Sequence, residues 1–203
     1  MRRSDAVNKG ADRAPARAYY RAMGLSDEDI SKPFVGVAST WNEATPCNIH
    51  LDRLAKHVKD GVRSAGGTPR EFVAIAVSDG IAMGYEGMKA SLISREVIAD
   101  SIELMAMAHG YDAVVAIAGC DKSLPGSLMG LARLNLPSLF IYGGTIMPGR
   151  FQGRDVTIQD VFEGVGAYAS GRLTLEEFQL LERVACPDEG SCAGLYLSLM
   201  HIS

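Results

Sequence analysis

The sequence lacks a hydrophobic stretch long enough to cross a membrane or to form the centre of a signal peptide. The basic segment 1–24 is followed by no apolar run, which a signal peptide requires after its charged start. An excess of basic charge is also missing, because 20 Lys and Arg residues stand against 24 Asp and Glu and are dispersed along the chain. We therefore expect a cytoplasmic protein that binds neither nucleic acid nor a membrane.

Cysteine is scarce, and four residues in 203 are too few for a disulfide scaffold. The last two cysteines are six residues apart and form no Cys-x-x-Cys pair, which disfavours a zinc knuckle. The histidines form no His-x-x-x-His pair, and no dinucleotide or P-loop glycine motif is present. In a reducing compartment the cysteines are interpreted as buried thiols, metal ligands or a nucleophile: Cys47, Cys120, Cys186 and Cys192.

Apolar runs and helical periods do alternate regularly along the chain. The continuous apolar runs predict buried strands at Pro33–Thr40, Phe72–Val77, Ala113–Ala118 and Pro137–Tyr142. Helices are predicted at Ala14–Met23, Asn48–Ala65, Ala90–Ala108 (amphipathic), Gly126–Leu134, Thr157–Ala169 and Thr174–Val184, the last with Thr174 and Glu177 as a capping box.

This alternation predicts a doubly wound α/β fold, with a mainly parallel sheet flanked by helices. Residues 1–32 are predicted to form an N-terminal arm with a helix. Residues 33–203 are predicted to form the α/β domain, without an internal repeat or linker.

Polar loops follow the first three predicted strands directly. The first strand leads to the segment 40–43 and Cys47, the second to Ser78–Gly80, and the third to Cys120–Ser123. Ligands bind at the carboxyl ends of strands in open parallel sheets. We therefore expect two thiols and two carboxylates on one rim of the sheet, which points to a metal-dependent site.

The residue types at this rim leave a simpler interpretation open. The Cys120 thiolate suits iron–sulfur clusters or zinc, and the Asp121 carboxylate suits Mg²⁺ or Mn²⁺. The same residues could equally be a buried thiol beside a helix-capping aspartate and a solvated Lys122. Asp79 could be a turn residue before glycine, and Cys47 a core thiol near a helix start. Local spacing does not decide between these interpretations.

Longer blocks of sequence resemble the dihydroxy-acid dehydratase family, which is related to the sugar-acid dehydratases. The blocks are 38–55 (ASTWNEATPCNIHLDRLA), 77–103 (VSDGIAMGYEGMKASLISREVIADSIE) and 118–149 (AGCDKSLPGSLMGLARLNLPSLFIYGGTIMPG), with a weaker one at 182–196 (ERVACPDEGSCAGLY). The resemblance runs from about Arg13 to Tyr196, and its blocks are specific because dozens of residues match in order.

The resemblance implies an iron–sulfur cluster held by three cysteines from separate loops. The matching positions are Cys47 in TPCN, Cys120 in GCDK and Cys192 in GSCAG. The cluster implied for this branch is 2Fe–2S, with 4Fe–4S as the alternative. Cys186 matches a cysteine that is not usually assigned as a ligand.

The resemblance also implies Mg²⁺ ligation by Asp79, Asp121 and Lys122, the lysine as an N-carboxylated side chain. The implied reaction is loss of water from a 2,3-dihydroxy carboxylate, such as 2,3-dihydroxyisovalerate, to give a 2-keto acid in branched-chain amino-acid synthesis. An aldonate or phosphogluconate dehydratase of the same family is the alternative. The implied partners are the small-molecule dihydroxy acid and, for the complete protein, a second copy in a homodimer.

The C-terminal end departs from the family pattern. Segment 197–203 (LSLMHIS) does not match, and the chain has no counterpart of the later glutamate ligand, serine base and β-rich domain that the resemblance implies. We therefore expect a truncated chain that lacks the catalytic base and is inactive alone. Two other interpretations remain, a non-catalytic iron–sulfur-binding fragment and a plain α/β domain with reduced buried thiols.

Overall fold

The computed structural model describes residues 2–192 of the chain. Their main sheet contains four strands in the order β2-β1-β3-β4, and every neighbouring pair is parallel. The predicted doubly wound α/β class is confirmed. The strands are β1 (Phe34–Ser39), β2 (Thr68–Val73), β3 (Ala113–Ala118) and β4 (Ser138–Tyr142).

Helices connect the strands and cover both faces of the sheet, as parallel pairing requires. The helices are α1 (Asp5–Asn8), α2 (Ala14–Ala22), α3 (Asp27–Ser31), α4 (Leu51–Ser64), α5 (Asp79–Ala82), α6 (Ala90–Ala108), α7 (Ser123–Leu134), α8 (Ile158–Ala169) and α9 (Leu175–Val184). Short 3₁₀ turns lie at Ala11–Arg13 and Glu86–Lys89, and the chain also forms a hairpin of β5 (Gly149–Phe151) and β6 (Arg154–Val156). No helix within residues 2–192 is long and apolar enough to cross a membrane.

Alternating side chains of the strands build a core on each face of the sheet. On one face Ala38 and Val114 pack with Ile102 of α6. On the other face Val37 and Ile117 pack with α4. Each large apolar side chain that is fully buried contributes about 1.5–3 kcal/mol to folding. The two cores hold the strand ends, and therefore the loops that follow them, in fixed positions.

The order of the strands creates a switch point between β1 and β3. From β1 the chain moves outward to β2, and it then returns to place β3 and β4 on the other side of β1. The connections after β1 and β3 therefore lead to helices on opposite faces of the sheet, α4 and α7, and leave a crevice at the carboxyl ends of the two strands, where ligands bind in such sheets. The Cys47 loop follows β1 and Cys120 follows β3, so both thiols are at this crevice.

The N-terminal segment packs on the sheet through polar and aromatic contacts. Asp112 accepts hydrogen bonds from the backbone amides of Ser4 at 3.1 Å and Phe34 at 2.9 Å. The Tyr20 ring meets the Phe34 ring edge to face, with 5.2 Å between centroids. These contacts tie residues 2–32 to the start of β1, and the division into an arm and a domain at residue 32 stays a prediction.

The prediction for the second strand was wrong in its position. The strand is Thr68–Val73, whereas the apolar run predicted Phe72–Val77. After Val73 the chain leaves the sheet and runs towards the crevice, where the carbonyl of Val77 accepts a hydrogen bond from the Cys120 thiol at 3.4 Å. Val73 and Ile75 are half exposed, so here apolar residues lie along the edge of the sheet and beyond it.

Two further features departed from the sequence predictions. The hairpin 149–156 was missed, because its strands have three residues each and form no apolar run. Helix α6 has the predicted bounds but is apolar on its outer face as well as its inner face. The other predicted strands and helices are confirmed to within three residues at each end, including the Thr174–Glu177 capping box. Segment 197–203 lies outside the described residues.

Candidate metal and thiol site

A pocket of about 130 Å³ lies at the carboxyl ends of β1 and β3. Its lining includes all four cysteines of the chain together with Asp79 and Asp121. The sequence predicted that thiols and carboxylates from three loops meet on one rim, and the structure brings these side chains to one pocket. The ligand roles assigned to them stay predictions.

A buried hydrogen-bond network fixes the loop that carries Cys47. The side-chain amide of Asn48 donates to the carbonyl and the hydroxyl oxygen of Thr40, each at 2.7 Å. The hydroxyl of Thr45 in turn donates to the Asn48 side chain at 3.0 Å. Because all three residues are buried, these bonds are shielded from water and the loop has one favoured conformation. Cys47 is thereby held against the end of β3.

Cys120 is fixed by its own turn and by the glycine before it. The Cys120 amide donates to the Ser123 hydroxyl at 3.0 Å, at the start of α7. Gly119 lies directly against the carbonyl oxygen of Cys47, and a methyl group there would overlap that oxygen. The glycine therefore allows the β1 and β3 loops to approach each other, which brings the two thiols together.

Cys192 reaches the pocket because the segment before it is bonded to two strand-end loops. The Gly190 amide donates to the Pro46 carbonyl, and the Ser191 amide donates to the Gly144 carbonyl, each at 2.9 Å. The Ser191 hydroxyl also donates to the carbonyl of Gly119. These bonds join residues that are far apart in sequence, and they place Cys192 beside the other thiols.

The three thiols interact directly with one another. A hydrogen bond with Cys120 is the main reason why the pKa of Cys47 rises to about 11, against a smaller opposing effect of a hydrogen bond with Cys192. The same bond to Cys47 lowers the pKa of Cys120. Cys120 is therefore the more readily ionised thiol of this pair, and Cys47 retains its proton. Burial raises the pKa of the neighbouring Cys186.

A buried charge cluster lies beside the thiols. The ammonium of Lys122 contacts Oδ2 of Asp79 and Oδ2 of Asp121. All three residues are at most 4% exposed. Burial disfavours the charged lysine, but the hydrogen bonds to both carboxylates outweigh this effect and raise the Lys122 pKa. Two carboxylates around one ammonium leave the cluster with one net negative charge.

The chemistry of these residues fits the iron–sulfur cluster and the Mg²⁺ ion that the family resemblance implied. As they stand, no three His, Cys, Asp or Glu side chains among residues 2–192 are placed to hold a metal ion. The Asp79 and Asp121 carboxylates nevertheless share one cation, the Lys122 ammonium, so both can face a single positive centre. N-carboxylation of Lys122 would replace that ammonium with an anionic oxygen donor, which suits Mg²⁺. Thiolate is the preferred ligand of iron–sulfur clusters.

Two features in and beside the pocket were not found from the sequence. One is Ser91, which donates a hydrogen bond to Oδ1 of Asp79 at 2.6 Å. Its signal in the sequence is weak, consisting of two serines three residues apart on the buried side of α6. The other is an apolar wall, whose residues come from separate segments that only the tertiary structure brings together: Ile81, Ile146, Ile158 and Phe162.

The comparison with protein families gives a match over most of the chain. Residues 32–198 match the family model described as dihydroxy-acid/6-phosphogluconate dehydratase, N-terminal. This range contains every cysteine of the chain as well as Asp79, Asp121 and Lys122.

Curated relatives are similar over almost the whole chain. A dihydroxy-acid dehydratase of Pelagibacter ubique is 63% identical over 92% of this chain and 33% of its own length. Those of Sulfurisphaera tokodaii and Dinoroseobacter shibae are 58% and 60% identical over 96% and 94% of this chain, and over 35% and 33% of their own lengths. The chain thus spans about a third of the length of the curated relatives it matches.

Proposed function

Because the chain belongs to the dihydroxy-acid/6-phosphogluconate dehydratase family, we propose that it supplies the ligand-bearing domain of a hydro-lyase that dehydrates 2,3-dihydroxy carboxylates. The observation that carries this proposal is the convergence of thiols and carboxylates in one pocket at the switch point of the sheet. Relatives at 58–63% identity are named dihydroxy-acid dehydratases, which supports a substrate of the branched-chain amino-acid pathway.

We assign the cluster-binding role to Cys47, Cys120 and Cys192. Asp79, Asp121 and an N-carboxylated Lys122 are assigned to Mg²⁺. When bound, the two groups would supply Lewis acids that polarise the substrate oxygens. The chain itself contributes the buried carboxylates, whose low-dielectric surroundings strengthen their interaction with a cation.

The apolar wall favours a branched aliphatic substrate over a phosphorylated sugar acid. Ile146, Ile158 and Phe162 line the pocket beside the thiols and carboxylates. Among the described residues that line this pocket there is no Lys or Arg, so a phosphate group would find no cationic side chain there to compensate its charge. An alkyl group gains free energy on the same surface, about 25 cal/mol for each Å² removed from water.

The ligand assignment is tested by reconstitution. The 203-residue chain is treated anaerobically with iron and sulfide, and its iron content and visible absorption are measured. Cys47→Ser, Cys120→Ser and Cys192→Ser should each abolish or sharply reduce the bound iron. Cys186→Ser is the matched control, since Cys186 lines the same pocket, and it should retain the iron. Equal iron loss in all four variants, or no iron in the unaltered chain, would reject the assignment.

The substrate assignment is tested on a chain that spans the full length of a curated relative. We would join this chain to the remaining part of the Pelagibacter ubique relative, which is 63% identical over the shared region. The chimera should convert 2,3-dihydroxyisovalerate to the 2-keto acid and leave 6-phosphogluconate unchanged. A preference for 6-phosphogluconate would instead assign the chain to the sugar-acid branch of the family.

A further inference from the structure

The two oxygens of the Asp79 carboxylate have different partners. Oδ1 accepts a hydrogen bond from the Ser91 hydroxyl at 2.6 Å, and Oδ2 contacts the Lys122 ammonium. Ser91 and Asp79 are 2% and 4% exposed, so water does not compete for this bond. One oxygen is therefore held by a neutral donor while the other faces the charge cluster.

The segment that carries Asp79 has little internal support. Helix α5 has four residues, and a helix this short is not stable by itself. Its N-cap bond, from the Ile81 amide to the Ser78 hydroxyl, is long at 3.4 Å. The orientation of the carboxylate must therefore be set by contacts outside α5.

Ser91 can set this orientation because it belongs to a rigid part of the fold. It is the second residue of the 19-residue helix α6, and its neighbour Ser94 is also buried. α6 packs closely on α7, with Gly126 of α7 against the α6 backbone. Lys122 directly precedes α7. The Ser91 hydroxyl therefore links the Asp79 carboxylate to the same helix pair that positions Asp121 and Lys122.

We propose that Ser91 is a positioning residue that orients the Asp79 carboxylate so that Oδ2 faces the Asp121–Lys122 cluster. The inference rests on the proposed function for the role of that cluster in binding a divalent cation. Metal-binding carboxylates are commonly held by a hydrogen bond from a neighbouring group, and loss of that group typically costs about 10–100-fold in metal affinity. Ser91 has the chemistry and position of such a group.

The helix itself supplies the matched control. The Ser94 hydroxyl donates to the backbone carbonyl of Ser91 at 2.6 Å and is as buried as Ser91. Ser94→Ala removes the same atom from the same helix without removing a bond to Asp79. Ser91→Thr keeps the hydroxyl and serves as the conservative variant.

The first measurement is Mn²⁺ binding to the metal-free 203-residue chain, and the EPR signal of free Mn²⁺ is used to monitor this binding. Ser91→Ala should raise the Mn²⁺ dissociation constant about 10–100-fold. Ser94→Ala should leave it unchanged, and Ser91→Thr should restore most of the affinity. Thermal unfolding of each variant separates these effects from a loss of the fold. An equal loss of affinity in Ser91→Ala and Ser94→Ala would overturn the proposal.

The second measurement does not depend on a metal. Crystal structures of the unaltered chain and of Ser91→Ala, both metal-free, should show the Asp79 carboxylate rotated in the variant, with Oδ2 no longer against Lys122. An unchanged carboxylate in the variant would overturn the role of Ser91. If the unaltered chain does not bind Mn²⁺, the metal assignment of the proposed function fails, and the orientation of Asp79 still decides the role of Ser91.

Discussion

At Gly119 the absence of a side chain decides how closely two loops approach. We expect Gly119→Ala to lower the free energy of unfolding by about 1–3 kcal/mol, because its methyl group overlaps the backbone carbonyl of Cys47. Backbone atoms yield only if the whole loop moves, so the variant should also bind less iron after reconstitution. Urea denaturation and iron analysis measure the two effects.

Gly61→Ala is the control for this substitution. Gly61 lies inside α4, and nothing is within 4 Å of the added methyl group. Alanine loses less conformational entropy than glycine in a helix, so Gly61→Ala should stabilise the chain by about 0.5–1 kcal/mol. Similar effects of the two substitutions would contradict the steric explanation for Gly119.

Lys122 is predicted to contribute strongly to stability in the absence of metal. Lys122→Met leaves the Asp79 and Asp121 carboxylates together in a buried position without their shared cation. Removing one partner of a buried ionic cluster costs about 3–5 kcal/mol, because the remaining charge is not compensated. The measurement is the free energy of unfolding in urea.

A second lysine provides the comparison for Lys122. Lys59 pairs with Glu71, and both side chains are about a quarter exposed. Water screens such a pair, so Lys59→Met should cost less than about 1 kcal/mol. If Lys59→Met destabilises the chain as much as Lys122→Met, the explanation by burial is wrong.

At the level of elements, the start of α8 predicts a dependence of stability on pH. The Thr157 amide donates to Oδ2 of Asp160 at 2.7 Å, and Arg154 pairs with Oδ1 at 2.6 Å. The hydrogen bond from the Thr157 amide is the main reason why the pKa of Asp160 lies below its ordinary value of 3.8, and the ion pair with Arg154 lowers the pKa further. The folded state thus binds a proton less readily than the unfolded state. The ionised Asp160 carboxylate therefore contributes fully to stability above about pH 5, and this contribution is lost as the pH falls through the lowered pKa.

The substitution Asp160→Asn tests this dependence. It should destabilise the chain at neutral pH, and the difference in unfolding free energy between the two proteins should shrink as the pH falls from about 7 towards 2, through the lowered pKa of Asp160. Asp155→Asn removes the same charge from the neighbouring hairpin, where Asp155 forms an exposed pair with Arg150, and should change stability little. A constant difference between Asp160→Asn and the unaltered chain across this pH range would contradict the prediction.

The elements differed in how well the sequence predicted them. β1 and β3 lie in the middle of the sheet and are buried on both faces, so an uninterrupted apolar run is a reliable signal for them. β2 is an edge strand, and its residues Thr68–Glu71 are polar or proline. The apolar run beside it therefore shifted the prediction to the chain segment that leaves the sheet. Periodicity does not distinguish a strand from such an extended segment.

For the whole molecule, Asp112 is predicted to couple the N-terminal segment to the sheet. It accepts hydrogen bonds from the backbone amides of Ser4 and Phe34. Asp112→Ala should leave both amides without this acceptor and increase hydrogen exchange of residues 2–9 more than that of β3. Hydrogen–deuterium exchange mass spectrometry measures the effect. Exchange that rises equally in all segments would indicate global destabilisation in place of local release.

The sequence by itself determined the fold class, the central strands and the family. Strands that are buried on both faces appear in the sequence as continuous apolar runs, and the family is identified by long blocks of residues that match in order. The sequence also identified the thiols and carboxylates, since they directly follow strands or match those blocks. The family resemblance implied that Cys192 joins the other thiols and that Lys122 joins Asp79 and Asp121, but only the tertiary structure decided which contacts achieve this, and that Ser91 donates a hydrogen bond to Asp79. These contacts join residues that are distant along the chain, and their geometry depends on the packing of α6 on α7 and on loops that meet at Gly119, which no local pattern encodes.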